Sequence, residues 1–352
     1  MEHAPSPLTS RPFAKELNFW MKLSPDRHNK LAACIVIKNR MKRLLWIGML
    51  IVSLGARAQF DAAFTNTWAL QSYYNPAAAG LDSKLNVQGA YSLQMVGFEG
   101  APKTMVINVD MPLFFIGPKH GVGAAFLNDA IGAFSNKKIQ LQYAFHQKFA
   151  GGRISAGVRP ALLMVGFNGS ELDLIDSSDP AFATNDIKGQ AFDLDVGIRY
   201  TYKKLWYAGI SAIHLLGPTV KMGDDKLHEV TVDPTFHVQG GYTLTFRQPR
   251  YKLALDAMLR TDLLSWRGDI NARLLYDGNK HKLYGGLMYS PTISVGLLLG
   301  FDFHGINIGY SYEVYTGGIG ALNGTHEILI GYQHDLDVFK KGKNLHKSVR
   351  IL

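Results

Sequence analysis

The chain is nearly free of cysteine: Cys34 is the only one in 352 residues. No disulfide can form within the chain. Downstream of Cys34 there is neither a thiol nucleophile nor a thiolate metal ligand. Long apolar runs are also missing. After residue 58 no segment approaches the roughly 18 consecutive apolar residues of a membrane-spanning helix. Nucleotide and catalytic signatures are absent too, with no P-loop, no His-Glu-x-x-His and no Gly-x-Ser-x-Gly elbow. The histidines His146, His214, His237, His281, His304, His326 and His334 are scattered singly, which reads as ordinary interior or rim polarity. A hydrolase would need a Ser and a His meeting across neighbouring strands. The expectation is a non-enzyme with no cofactor and no metal.

One apolar stretch does stand out. Lys42-Arg43 precede an apolar core from Leu44 to Leu54, followed by Gly55-Ala56-Arg57-Ala58. A short positive region, a short apolar core and a small-x-small end form a secretory signal peptide. Residues 41–58 are assigned to it. Met41 directly precedes the positive pair, so residues 1–40 read as a leader extension or a mis-assigned start. The first 58 residues hold ten Lys/Arg and three Asp/Glu, and so carry +7 of the formal +9. The remainder is close to neutral, and its charge gives no case for nucleic-acid binding. Basic residues recur at the C-terminus, in Lys340-Lys341-Gly342-Lys343 and on through Lys347 to Arg350. Residues 335–352 are assigned to a basic periplasmic tail.

Residues 59–83 read as a periplasmic lead-in punctuated by Asn75-Pro76 and Gly80. They are too few to form the plug domain of a TonB-type transporter. From residue 84 the hydrophobic period becomes two. In 191–202, Phe192, Leu194, Val196, Ile198, Tyr200 and Tyr202 alternate with Asp193, Asp195, Gly197, Arg199 and Thr201. That is a strand with one apolar and one polar face. Strands are expected at 84–93, 103–111, 120–128, 136–148, 152–165, 190–202, 205–214, 234–246, 250–260, 267–277, 281–290, 292–302, 304–315 and 324–333, with no helix. The number is even, and most are long enough for a tilted strand to cross a bilayer. Alternate junctions are mostly tight (150–151, 203–204, 248–249, 278–279 and near Phe303). The others are often long (94–102, 129–135, 166–189, 215–233, 261–266 and 316–323). The junctions 112–119 and Pro291 break the pattern. Short turns on one rim and long loops on the other are typical of outer-membrane barrels. The expected fold is therefore all-β: a transmembrane antiparallel β-barrel of about 14 strands over 84–334, of outer-membrane type. A soluble β-sandwich or propeller gives the same alternation with a protein core in place of lipid. Asp193, Asp195 and Arg199 would face the lumen, where Gly, Ala and Gln are expected to outnumber charges. The acidic loop 166–189 reads as a solvated external loop.

Three stretches exceed what generic loops need: Tyr74-Asn75-Pro76-Ala77-Ala78-Ala79-Gly80, Val96 to Thr104, and His120 to Asn136. Phe98 and Phe134 are apolar tips on polar loops, a form suited to anchoring a partner. The candidate partner-binding residues are Asn75, Pro76, Gly97, Phe98, Glu99, Gly100, Ala101, Pro102, Lys103, Asn128, Asp129, Gly132 and Phe134. The Tyr74-Asn75-Pro76-Ala77 segment, Gly97 to Thr104, the Asn-Asp-x-Ile-Gly-x-Phe-Ser run from Asn128, and the closing His326 to Tyr332 resemble the PorP/SprF family. These are outer-membrane proteins tied to type IX secretion and gliding motility. The chain departs from the family in its leader before Met41 and in its basic tail, which displaces the usual terminal aromatic. The resemblance implies a docking protein in the outer membrane of a Gram-negative bacterium. Its implied partners are outer-membrane lipids, periplasmic ring components, and secreted or surface-anchored proteins such as adhesins. The rival function is a general diffusion porin for small solutes.

Overall fold

The structure is a computed structural model and describes residues 62–82, 84–113, 119–169, 186–224, 226–278, 281–317 and 324–336. The leader, the signal peptide, nearly all of the basic tail and most of the acidic loop 166–189 lie outside the described residues.

Fourteen antiparallel strands close into one barrel, and the first pairs with the last. They are β1 (Lys84–Leu93), β2 (Lys103–Pro112), β3 (His120–Ile131), β4 (Phe134–Phe149), β5 (Gly152–Asn168), β6 (Asp186–Tyr202) and β7 (Trp206–Ile213), then β10 (Thr235–Thr245), β11 (Tyr251–Thr261), β12 (Trp266–Asp277), β13 (His281–Ser290), β14 (Ser294–Phe303), β15 (Ile306–Tyr315) and β16 (Thr325–Asp335). The seam is in full register, from Lys84 opposite Asp335 to Leu93 opposite His326. Closure leaves no sheet edge at the seam, so every backbone group there finds a partner. Between β7 and β10 a small separate hairpin forms, β8 (Thr219–Met222) with β9 (His228–Thr231). Among the described residues no helix is long and apolar enough to cross a membrane.

The faces are inverted relative to a soluble protein. On β4, Ile139, Leu141, Tyr143 and Phe145 are exposed, while Lys138, Gln140, Gln142 and His146 are buried. Leu141 is 63% exposed and Phe192 79%. An outer surface of Ile, Leu and Phe around a polar interior is stable only in hydrocarbon, which excludes the sandwich and the propeller. Aromatic residues gather where strands end: Tyr200 and Tyr202 lie 5.3 and 6.0 Å from Trp206, and Tyr251 lies 5.3 Å from Tyr276.

The structure corrects several boundaries. Asn128 and Asp129 continue β3, and Phe134 opens β4, so the expected loop 129–135 shrinks to the turn at Gly132-Ala133. Gly132 supplies the positive φ (55°) that this turn requires. The expected loop 215–233 contains the β8–β9 hairpin. Its Val220 and Met222 pack on Leu163 and Val165 of β5, forming a small apolar cluster with Val232. Among the described residues, one four-residue helix, α1 (Gln71–Tyr74), and a 3-10 turn at Pro76–Ala78 interrupt the β structure.

The largest correction concerns the lead-in. Residues 62–80 are almost entirely buried, and they lie inside the barrel. Gln94 donates to the Ala63 carbonyl near one rim, and Arg153 donates to the Leu81 carbonyl near the other. The segment thus crosses the lumen from the rim of the longer loops, the loop rim, to the rim of the tight turns, the turn rim, and leads into β1. About 25 residues do fill a barrel of this size, because inward side chains already occupy much of the space.

Candidate functional site

Buried polar groups concentrate in the lumen, around its plug and toward its two mouths. The plug is fastened at three levels. Near the loop rim, Glu327 accepts the amides of Thr65 (2.7 Å) and Asn66 (3.0 Å) and the Asn66 side-chain amide (2.8 Å). Glu313 accepts the Thr65 hydroxyl at 3.0 Å, the Ser294 hydroxyl at 2.5 Å and Arg267 at 3.1 Å. Two carboxylates from neighbouring strands thus hold the start of the plug.

Midway, an apolar cluster forms inside the polar barrel. Phe64, Leu70, Tyr73 and Tyr74 of the plug pack with Ala90, Val106, Leu127 and Leu329 of the wall. Arg159, fully buried, donates to the Tyr73 carbonyl and to Asp195, its Nε lying 2.8 Å from Asp195 Oδ2. Ser72 donates to Asp110 at 2.8 Å, and Asp110 also accepts the Gly80 amide at 2.9 Å.

The third level is the Tyr74 to Gly80 stretch. Asn75 Oδ1 caps the 3-10 turn by accepting the Ala77 amide at 2.9 Å. Its Nδ2 donates to the carbonyls of Ile198 and Ile210, each at 3.2 Å, and so ties the plug to β6 and β7. The wall opposite is glycine. A Cβ at Gly197 would sit 2.1 Å from Asn75 Oδ1, one at Gly157 2.3 Å from the Ala77 nitrogen, and one at Gly121 2.1 Å from the Ala79 oxygen. Backbone can approach backbone only where side chains are missing.

Charges fill the interior, contrary to the expected Gly, Ala and Gln lining. Lys138 lies 3.7 and 3.5 Å from Asp193 and Asp195, and His214 Nδ1 lies 2.5 Å from Asp193. Across the lumen, Arg260 and Arg267 pair with Asp269, and Arg273 pairs with Asp256 at 2.7 Å. Asp193, Asp195 and Arg199 face inward, as the alternation predicts. One Ser–His pair does meet across neighbouring strands: the Ser155 hydroxyl lies 2.8 Å from His146 Nδ1. Both residues are buried, and His146 Nε2 is engaged by the Ala79 carbonyl at 2.9 Å. The pair fastens the plug and leaves no room for a substrate.

The turn rim opens on a cavity of about 830 Å³, floored by Trp68, Gln71, Ser72 and Arg199. A smaller one of about 340 Å³ lies beside it, sharing Trp68, Ala69, Gln88 and Gln333. Together they form a vestibule beneath the plug.

The thirteen partner-binding candidates do not form one site. Gly97, Phe98, Glu99 and Gly100 are exposed at the loop rim, with Ala101 and Pro102 half-buried and Lys103 opening β2. The Gly132 amide donates to the Gly100 carbonyl at 2.8 Å, which joins the first loop to the β3–β4 turn and brings Phe134 to the same rim. Phe134 and Phe167 pack at 4.9 Å. Asp129 points inward and accepts the Thr104 hydroxyl at 2.5 Å, while Asn128 lies on the outer face of β3. Asn75 and Pro76 are deep in the lumen. The carboxylates holding the plug went unseen in the sequence, because Glu313 and Glu327 read there as ordinary strand residues.

The sequence matches the family described as type IX secretion system membrane protein PorP/SprF over residues 56–332. No curated protein matches the chain. Among solved structures the barrel is similar to a FadL homologue of Pseudomonas aeruginosa, with a TM-score of 0.46, 10% identity, and 80% of this chain and 100% of that one covered. It is also similar to the toluene transporter TbuX of Ralstonia pickettii, with a TM-score of 0.45, 11% identity, and coverage of 80% and 96%. The KdgM porin aligns with a TM-score of 0.32 and 8% identity, covering 71% of this chain and 99% of that one.

Proposed function

The chain belongs to the PorP/SprF family of type IX secretion system membrane proteins, and from that premise we propose that it is an outer-membrane scaffold that docks other proteins. In this reading it helps secrete or anchor partners such as adhesins and associates with periplasmic ring components, without catalysis. The turn rim faces the periplasm and the loop rim faces outward. Loop-rim residues Gly97 to Lys103, with Gly132 and Phe134, are the contact surface for exported proteins. The observation that carries this reading over a diffusion porin is the plug. A lumen crossed by residues 62–82, and held by buried carboxylates and arginines, suits a scaffold better than a solute path. The buried Ser155–His146 pair gives a hydrolase no accessible nucleophile.

The test compares surface and medium proteomes of the parent strain and a deletion strain. Loss of one or a few large surface proteins supports a dedicated partner, and loss of many cargo proteins supports a core machine component. An unchanged proteome, together with a steady ion current from the pure protein in planar bilayers, returns the reading to a porin.

A further inference from the structure

We infer that the turn-rim vestibule is a binding site for an acidic peptide segment, with Arg199 as its anchor. The inference deepens the docking reading and rests on it for the source of the peptide, a periplasmic protein. The chemistry rests on the vestibule itself.

Arg199 is only 4% exposed and lines the floor of the larger cavity. Its Nη2 donates to Gln71 Oε1 at 2.8 Å, its Nε donates to the Thr201 hydroxyl at 3.2 Å, and its guanidinium stacks 3.8 Å from the Tyr207 ring centroid. Its Nη1 has no hydrogen-bond partner, and among the described residues no carboxylate lies within ion-pair distance. Every other buried arginine of the lumen has such a carboxylate: Arg159 has Asp195, Arg260 has Asp269, and Arg273 has Asp256. A buried cation with no carboxylate in direct contact is costly. A planar guanidinium with an unpaired N–H group has the chemistry to take a carboxylate.

The walls repeat the sign. Lys148 and Arg153 flank the Ala150-Gly151 turn, and Lys203 and Lys204 form the next turn, all lining the same cavity. Against them stand Asp82 and Asp110. The Asp110 carboxylate is already engaged by Ser72, Gly80 and Asn86. Trp68 and Phe149 add apolar wall. One small anion would neutralise one of these cations. A chain bearing several carboxylates spans the set, and a cavity of about 830 Å³ has the size of a ligand pocket. The chain's own basic C-terminal residues, Lys340 to Arg350, carry the wrong sign to be the occupant.

The experiment titrates the full mature protein in detergent with a fluorescent poly-glutamate peptide and its poly-glutamine counterpart, read by anisotropy. The glutamate peptide should bind, and its affinity should fall as salt rises. The glutamine peptide should not bind. Arg199→Gln should weaken binding by about ten-fold or more, with Arg199→Lys recovering part of the loss. Should Arg199→Gln fail to fold, the paired Lys203→Gln/Lys204→Gln variant, which changes only the exposed turn, should still weaken binding and flatten its salt dependence. Equal binding of both peptides, no binding of either, or unchanged affinity in these variants overturns the assignment. Displacement by inorganic phosphate at matched charge concentration also overturns it, in favour of a small-anion site. The two readings fail separately. Peptide binding is measured on pure protein, whereas docking fails only if deletion leaves the surface proteome unchanged.

Discussion

Single residues decide whether the plug stays. Glu327 satisfies three donors of Thr65 and Asn66 in a water-poor interior. Glu327→Ala leaves all three unpaired, at about 1–3 kcal/mol each if water does not enter. Limited proteolysis should then cut near residues 62–70 in a barrel that otherwise resists protease, and an uncut plug would refute the latch. Gly157→Ala places a methyl carbon against the Ala77 nitrogen and Pro76 backbone. Neither is a flexible side-chain end, so about 1–3 kcal/mol of overpacking is expected, seen as a lower temperature of heat-induced unfolding on gels. At the β11–β12 turn, burial tends to raise the Asp262 carboxyl. Bonds donated by the Ser265 amide and hydroxyl and the Leu264 amide outweigh that, and hold it below its ordinary range. A lowered folded pKa means that the turn is fully supported above the unfolded carboxylate value, about 4. The support is lost as pH falls through the folded value. NMR shifts of the Leu264 and Ser265 amides should stay constant from neutral pH down to that range and move only below it.

Among the elements, strands were legible and the plug was not. The alternation of Phe192 to Tyr202 against Asp193 to Thr201 is a local pattern, and it gave β6 its two faces directly. The plug has no such pattern, because its partners are remote: Thr65 and Glu327 are 262 residues apart, and Asn75 and Ile210 are 135 apart. The Tyr74 to Gly80 stretch was visible as unusual, yet its meaning depends on glycines in three other strands, Gly121, Gly157 and Gly197. The β8–β9 hairpin escaped notice because strands of four residues are too short to show a period. Its role is local. Met222→Ala should cost about 2 kcal/mol or more and raise protease sensitivity between β7 and β10, while the barrel keeps its resistance to heat and detergent. A collapse of the whole barrel would show that the hairpin supports more than the inner face of β5.

At the scale of the whole molecule, closure and strand number followed from period and rim asymmetry. The filling of the lumen did not, since alternation names the inward residues without naming what they meet. The native protein should pass no steady current in planar bilayers, and a steady channel in the unmodified protein would count against a filled lumen. The plug also precedes the barrel in the chain and continues into β1, the strand that seals against β16. It is therefore a tethered stopper, present at an effective concentration on the order of millimolar even when displaced. Weakening its fastenings should give brief openings that reseal, because the segment stays joined to β1. Cutting the backbone between Leu81 and the start of β1 removes the tether, and only then would displacement become permanent. Any ligand that enters by pushing the plug aside competes with a rival that never leaves, and its measured affinity understates its fit.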